Sequence, residues 1–350
     1  MFDALLWRWV PLAAALLLNG CSTLDYYSHL AGGQLHLLQA REPIAELLEN
    51  PTADPELKQR LALAQQARDF ASAQLNLPDN DSYRLYADIQ RPFVVWNVFA
   101  TPEFSLSPEL HCFPIAGCVA YRGFYSQGRA RGAAALLKQQ GLDTYLGGVE
   151  AYSTLGWFDD PILNTMLRWS DERLVAVIFH ELAHQQLYVA NDTAFNESFA
   201  SFVEREGLSQ WRIKQGLPPN DPQGEQQREQ FIALVLASRT RLQQLYASDL
   251  PPAQMRSGKQ AEIARLRAEY HALSKREWGG NGRYDDWINA PINNAKLLPF
   301  GLYDQWVPAF AALFEQVERD WPRFYQRVAA LGELPERERH QALMDLSAGS

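Results

Sequence analysis

Cysteine is scarce in this chain: Cys21, Cys112 and Cys118 are the only three among 350 residues. Three cysteines cannot build a framework of several disulfides or a closed four-cysteine zinc site, so an apolar core must hold the fold. Basic charge is short as well. Lys and Arg number 32 against 41 Asp and Glu, the formal net charge is −9, and no basic stripe is visible. Nucleic-acid binding needs clustered cations against phosphate, so that class of partner is excluded. Long apolar runs are missing beyond residues 5–18. There is no internal repeat and no long low-complexity tract, which excludes solenoids and arrays. Aromatic rings are plentiful, with 17 Phe, 14 Tyr and 10 Trp. The length suits one large domain or two modest ones, and residues 21–350 are assigned here to one well-packed globular domain.

Histidine is also rare, with seven in the chain, yet two of them share one pentapeptide: His180, Glu181, Leu182, Ala183, His184. Histidines four apart lie on one face of a helix, so both imidazoles can reach one metal ion. Glu181 between them is placed to act as general base toward a water activated by that metal. Downstream, Glu197 supplies a third protein ligand and leaves a fourth position open, as a catalytic zinc site requires. The spacing predicts a helix over 171–188, with Ser170 and Asp171 as cap chemistry and acids in the first turn. Leu174, Val177, Ile178, Leu182 and Leu187 form its apolar face, so the helix is expected to be buried. Buried polar groups are costly unless paired or bound, and one Zn2+ per chain answers that cost. Thr193 is expected to cap a second helix over 194–207, with Gly207 as its stop. Glu197 and Glu204 fall on one face of that helix, nearly two turns apart, so only one reaches the metal directly.

Asn196-Glu197-Ser198-Phe199-Ala200 resembles the NEGFA segment of aminopeptidase N-like enzymes and, more loosely, the NE segment of thermolysin-like enzymes. In both, the glutamate after the asparagine binds zinc, which implies that role for Glu197. Those families set this glutamate several residues further from the second histidine, a spacing that suits the alternative ligand Glu204. The local residues favour Glu197, and Glu204 then orients a ligand or touches substrate. Asn196 and Asp192 are expected to orient ligands. The chain as a whole resembles a bacterial family of predicted zinc aminopeptidases that carry lipoprotein signals. The matching segments are RPFVVWNVFATPEFSL (91–106), CFPIAGCVAYRGF (112–124), GGVEAYSTLGWFDDPILNTM (147–166), HELAHQQLYVANDTAFNESFASFVEREG (180–207) and NNAKLLPFGLY (293–303). The resemblance implies a zincin-like core and peptidase activity. Gly147-Gly148-Val149-Glu150-Ala151 is similar to the Gly-x-Met-Glu-Asn strand of aminopeptidase N-like enzymes, which implies that Gly148 aligns substrate backbone and Glu150 binds the free amino terminus. Val149 and Ala151 depart from that pattern, and an edge strand with an exposed glutamate is the competing reading.

Residues 1–20 read as a signal peptide. The apolar run ends at Leu18-Asn19-Gly20-Cys21, which resembles a bacterial lipobox with Cys21 lipidated. Ser22 after the cysteine resembles the outer-membrane sorting of enterobacterial lipoproteins. The expected location is the cell envelope, lipid-anchored and facing the periplasm. There Cys112 and Cys118 are expected to form a disulfide, the alternative being a second metal site with His111.

The fold class expected is α+β, predominantly helical, with a zincin-like metallopeptidase core, a small β-sheet and an extra helical hairpin. Residues 22–78 read as helices and 83–155 as the β-rich part, with strands over 93–99 and 118–121 and a helix over 130–141. Residues 171–207 carry the metal-binding helices. Residues 225–275 read as a solvent-facing hairpin that overhangs the cleft, and 298–350 as C-terminal helices. The reaction expected is amide hydrolysis, with Tyr303 as oxyanion donor in preference to Tyr152 and Tyr188. The partners expected are a peptide substrate and the membrane, reached through the lipid anchor, with no obligate protein partner. An aminopeptidase is the first reading. An endopeptidase acting on an envelope protein and a non-catalytic lipoprotein with a structural metal are the competing ones.

Overall fold

The computed structural model describes residues 23–113, 117–151, 153–218 and 222–348. The lipobox and Cys21 lie outside the described residues. Helix α1 (residues 23–39) leads into β1 (Arg41–Pro43), α2 (Ile44–Glu49), α3 (Pro55–Leu75) and β2 (Leu85–Ala87). Then come β3 (Val95–Pro102), β4 (His111–Phe113), β5 (Gly117–Val119), β6 (Tyr121–Phe124), α4 (Gln127–Gln139), β7 (Leu142–Val149) and β8 (Ile162–Leu163). The remainder is helical: α5 (Asp171–Gln186), α6 (Thr193–Lys214), α7 (Pro222–Tyr246), α8 (Pro252–Glu277), α9 (Asp285–Asn289), α10 (Asn294–Tyr303), α11 (Val307–Gln316), α12 (Trp321–Gly332) and α13 (Glu336–Ala348). The architecture is α+β and predominantly helical.

Local chemistry explains where the central helices begin. Ser170 Oγ accepts the Arg173 amide at 3.3 Å and caps α5, with Asp171 and Glu172 in the first turn. The α6 cap is Asp192, not Thr193: its Oδ1 accepts the Phe195 amide at 3.0 Å. Gly207 does not stop α6, which runs on to Lys214. A Cβ at Gly207 would stand 2.7 Å from Leu75 Cδ1 and 2.9 Å from Phe179 Cδ2. This glycine therefore serves the close packing of α3, α5 and α6 rather than a turn.

The sheet that matters for the site has the order β6-β3-β7 and is antiparallel throughout. Asn97 sits opposite Gly123 on one side and Gly147 on the other. Val98 and Phe124 face α4 with Ala130 and Ala134. The expected strand over 118–121 is two short strands, β5 and β6, broken at Ala120. The break lets β5 pair with β4 as a separate hairpin, with Cys112 opposite Cys118.

One large core joins α3, α5, α6, α11 and α12, with Phe179, Phe195, Phe199, Phe310 and Phe324 fully buried. Their rings meet mostly edge to face, as between Phe195 and Phe310 at 5.3 Å. Arg68 is also fully buried. It donates to the carbonyls of Ser82, Pro78 and Asn80 at 3.0, 2.9 and 2.8 Å, which fixes the loop after α3.

The helical hairpin is α7 and α8. It has its own core, in which Phe231 stacks on Tyr284 at 4.0 Å and Leu266 and Tyr270 are buried. None of its residues lines the cleft described below, so the expected overhang is not what the structure shows. Its apolar side is covered by α9 and α10 instead, through Trp287 and Phe300.

Candidate metal centre

Helices α5 and α6 pack side by side and bring three polar residues to one point. His180 Nε2 lies 3.5 Å and His184 Nε2 3.7 Å from the same Glu197 oxygen, Oε2. One ligand atom from each of these three residues fits within 4.8 Å of the others. Glu204 does not join this cluster. Its carboxylate meets the other ring nitrogen of His180, Nδ1, at 2.9 Å. Glu197 and Glu204 thus sit on opposite sides of one imidazole, the two turns of α6 spanning it.

Burial and mutual charge govern how this cluster titrates. Burial pushes the Glu181 carboxyl up to about 8, and the nearby Glu197 charge adds to that. Burial pulls His184 down to about 4. For His180, burial is outweighed by Glu197 and Glu204, which hold it well above the ordinary range. Glu181 and Glu197 are thus buried beside the two imidazoles, while Glu204 on the far side of His180 keeps about a third of its side chain exposed. The Nδ1 atom of His184 is buried with no hydrogen-bond partner among the described residues. Two imidazole nitrogens and one carboxylate oxygen form a donor set that suits zinc, with Nδ1 of His180 already held by an acceptor. The residues fit such an ion.

The cluster forms the polar floor of a cleft of about 400 Å³. One face of the sheet makes the opposite wall, through Val95, Asn97, Tyr121 and Val149. Tyr26 and Leu30 of α1, with Phe113 and Val119 of the β4–β5 hairpin, also line the cleft. Cys112 and Cys118 form a disulfide in that hairpin, so their thiols are not available for a second metal site with His111. The Cys118 amide donates to Asn191 Oδ1 at 2.8 Å and ties the hairpin to the loop between α5 and α6. Gly117 has φ +70, and a Cβ there would stand 2.6 Å from Asn191 Oδ1, so this approach needs glycine.

The other predicted residues divide. Asn196 lines the cleft, and its amide brackets Val189, accepting from the backbone N–H at 2.8 Å and donating to the carbonyl at 2.7 Å. Asp192 is committed away from the His180–His184–Glu197 cluster. It caps α6 with one oxygen and holds Arg339 and His340 of α13 with the other, at 2.8 and 2.9 Å. Glu150 is not in the cleft. Its Oε2 accepts from Trp169 Nε1 at 2.7 Å and from Arg173 at 3.1 Å. The strand period explains this, because Val149 and Ala151 face the cleft and Glu150 between them faces away. Gly148 is covered by the Phe93 ring, which a Cβ would meet at 2.5 Å, and it is not among the described residues that line the cleft. The Tyr303 side chain and Tyr152 lie outside the described residues.

Tyr121 lines the cleft and was not anticipated. Burial and the Glu197 charge push its hydroxyl well above the ordinary tyrosine range. Tyr188 lines it too and is shifted in the same direction by the same two causes. The signal for Tyr121 lay in alternation along β6, where Tyr121 and Gly123 share the cleft face, but only the strand register reveals which face that is.

Fold and site together define an α+β protein with a cleft lined by two histidines and two glutamates from adjacent helices. The family described as Putative aminopeptidase (Aminopep) matches residues 25–343, and the chain belongs to that family. No curated protein and no solved structure matches the chain.

Proposed function

We propose that this protein is a zinc-dependent peptidase of the bacterial cell envelope. The observation that carries this reading is the convergence of His180, His184 and Glu197 in a cleft that also holds Glu181. Membership of a putative aminopeptidase family supports peptide-bond hydrolysis. His180, His184 and Glu197 would hold one zinc ion, with Glu204 fixing the His180 tautomer. When bound, zinc supplies a Lewis acid that polarises the scissile carbonyl and acidifies a water. Glu181 takes a proton from the attacking water and delivers it to the leaving amine. Its buried position raises its basicity and suits it to both halves of that transfer. Tyr121 and Tyr188 stay protonated and offer O–H donors to the charge developing on the carbonyl oxygen. Asn196 fixes the loop after α5 and so the approach of α6. The lipobox-like residues ending at Cys21 support anchoring in the envelope, with the outer membrane as destination.

The test is Glu181→Gln. The variant should bind one zinc per chain with wild-type affinity and lose peptide hydrolysis by at least about 10²-fold, a typical general-base contribution. Retention of most of the activity would refute the role of Glu181.

A further inference from the structure

No carboxylate is left for a free amino terminus among the described residues that line the cleft. Among the described residues that line it, the acids are Glu181 and Glu197, and no Lys or Arg is present. Glu197 belongs to the metal cluster and Glu181 is the base. Glu150, the residue best placed by sequence to receive an ammonium, is committed elsewhere: Trp169 and Arg173 hold its carboxylate, and the Arg173 guanidinium lies over the Trp169 ring at 4.5 Å. Thr165 further pins the Glu150 carbonyl at 2.5 Å. The cleft walls mix apolar side chains, Val95, Val119, Val149, Leu155 and Phe113, with neutral polar ones, among them Asn97, Ser153 and Thr193.

An ammonium placed in such surroundings exchanges water for neutral acceptors and gains no anionic partner. That costs several kcal/mol, and a metal cation nearby repels it further. A neutral amide in the same position carries a far smaller penalty. We propose that the cleft accepts peptides whose chain continues on the amino side of the scissile bond, with apolar side chains flanking that bond. Its substrates are internal peptide bonds or blocked termini rather than free amino ends. This rests on the peptidase reading above and narrows its substrate class.

The experiment uses zinc-loaded full-length protein and a matched pair of short apolar peptides, one with a free amino terminus and one N-acetylated, with products identified by mass. The acetylated peptide should be cleaved with kcat/KM equal to or above that of the free one. Cleavage of the free peptide at its first bond, with the acetylated peptide at least tenfold slower, would overturn the inference. Glu150→Gln keeps an acceptor for Trp169 and should leave the ratio of the two rates unchanged. A tenfold fall confined to the free peptide would show that Glu150 binds the amine and would also overturn it. Calorimetric Kd values of both peptides on the Glu181→Gln protein give a readout independent of turnover. Acetylation should leave binding unchanged or tighten it, and a tenfold weakening would refute the proposal. Hydrolysis of neither peptide overturns the peptidase reading, and the two Kd values then still decide this one.

Discussion

Glu204→Gln separates the two glutamates that share the His180 ring. In the structure Glu204 Oε2 lies 2.9 Å from His180 Nδ1, while the opposite nitrogen, Nε2, faces Glu197. An acceptor at Nδ1 keeps the proton there and leaves the Nε2 lone pair for a metal. Gln preserves size and one acceptor oxygen but removes the charge. Loss of such a partner typically costs about 10–100-fold in metal affinity, or about 1.4–2.8 kcal/mol. Glu197→Gln removes an anionic donor from the cluster itself and should cost more. Zinc affinity is measured at pH 7 by competition with a chromophoric chelator, with circular dichroism to verify folding. Glu206→Gln is the control, because its carboxylate pairs with Arg319 rather than with the site. The reasoning fails if Glu204→Gln binds zinc as tightly as wild type. If it loses more than Glu197→Gln, Glu204 is the ligand and the assignment is reversed.

Two further outcomes follow from buried groups. Burial pushes Asp160 from 3.8 to about 6, against hydrogen bonds from Thr154. The folded carboxyl binds its proton more tightly than the unfolded one, so stability is lost as pH rises from about 4 through about 6. The swing is at most about 3 kcal/mol, and Asp160→Asn should lack it. Urea unfolding of both proteins between pH 4.5 and 7.5 checks this, and parallel profiles would contradict it. At Gly207 an alanine would gain about 1 kcal/mol in helix propensity but overpack Leu75 and Phe179 at a cost of about 1–3 kcal/mol. Gly207→Ala should therefore lower the melting temperature and, because Phe179 adjoins His180, weaken zinc binding. A higher melting temperature would show that the core yields there.

The readable parts of this chain were those set by short-range chemistry. Ser170, the first-turn acids and the apolar spacing of Leu174, Ile178 and Leu182 located α5 to within two residues. The histidine spacing then placed two imidazoles on one face. What failed depended on partners distant in sequence. Gly207 reads as a helix stop until Leu75 and Phe179 are seen against it. Asp192 reads as a ligand's neighbour until Arg339 arrives from the far end of the chain. Glu150 was legible in principle, since alternation along β7 separates it from Val149 and Ala151. The family likeness pulled it toward the cleft all the same. Glu197 and Glu204 were inseparable by sequence, because both lie on one face of α6 and only the position of the His180 ring between them distinguishes their roles.

The pairing of Asp192 with Arg339 bears on when the cleft can take shape during synthesis. Asp192 caps α6 near its first turn, and in the folded protein it and Arg339 are almost wholly buried. A nascent chain that has not yet produced residue 339 leaves that aspartate without its cation. Burying it in that state would cost several kcal/mol. The start of α6, and with it the seat of Glu197, is therefore strained or open until the last helix docks. Assembly of the cluster becomes one of the final events for the growing polypeptide, and a truncated product lacking α13 would carry His180, His184 and Glu197 yet hold them loosely.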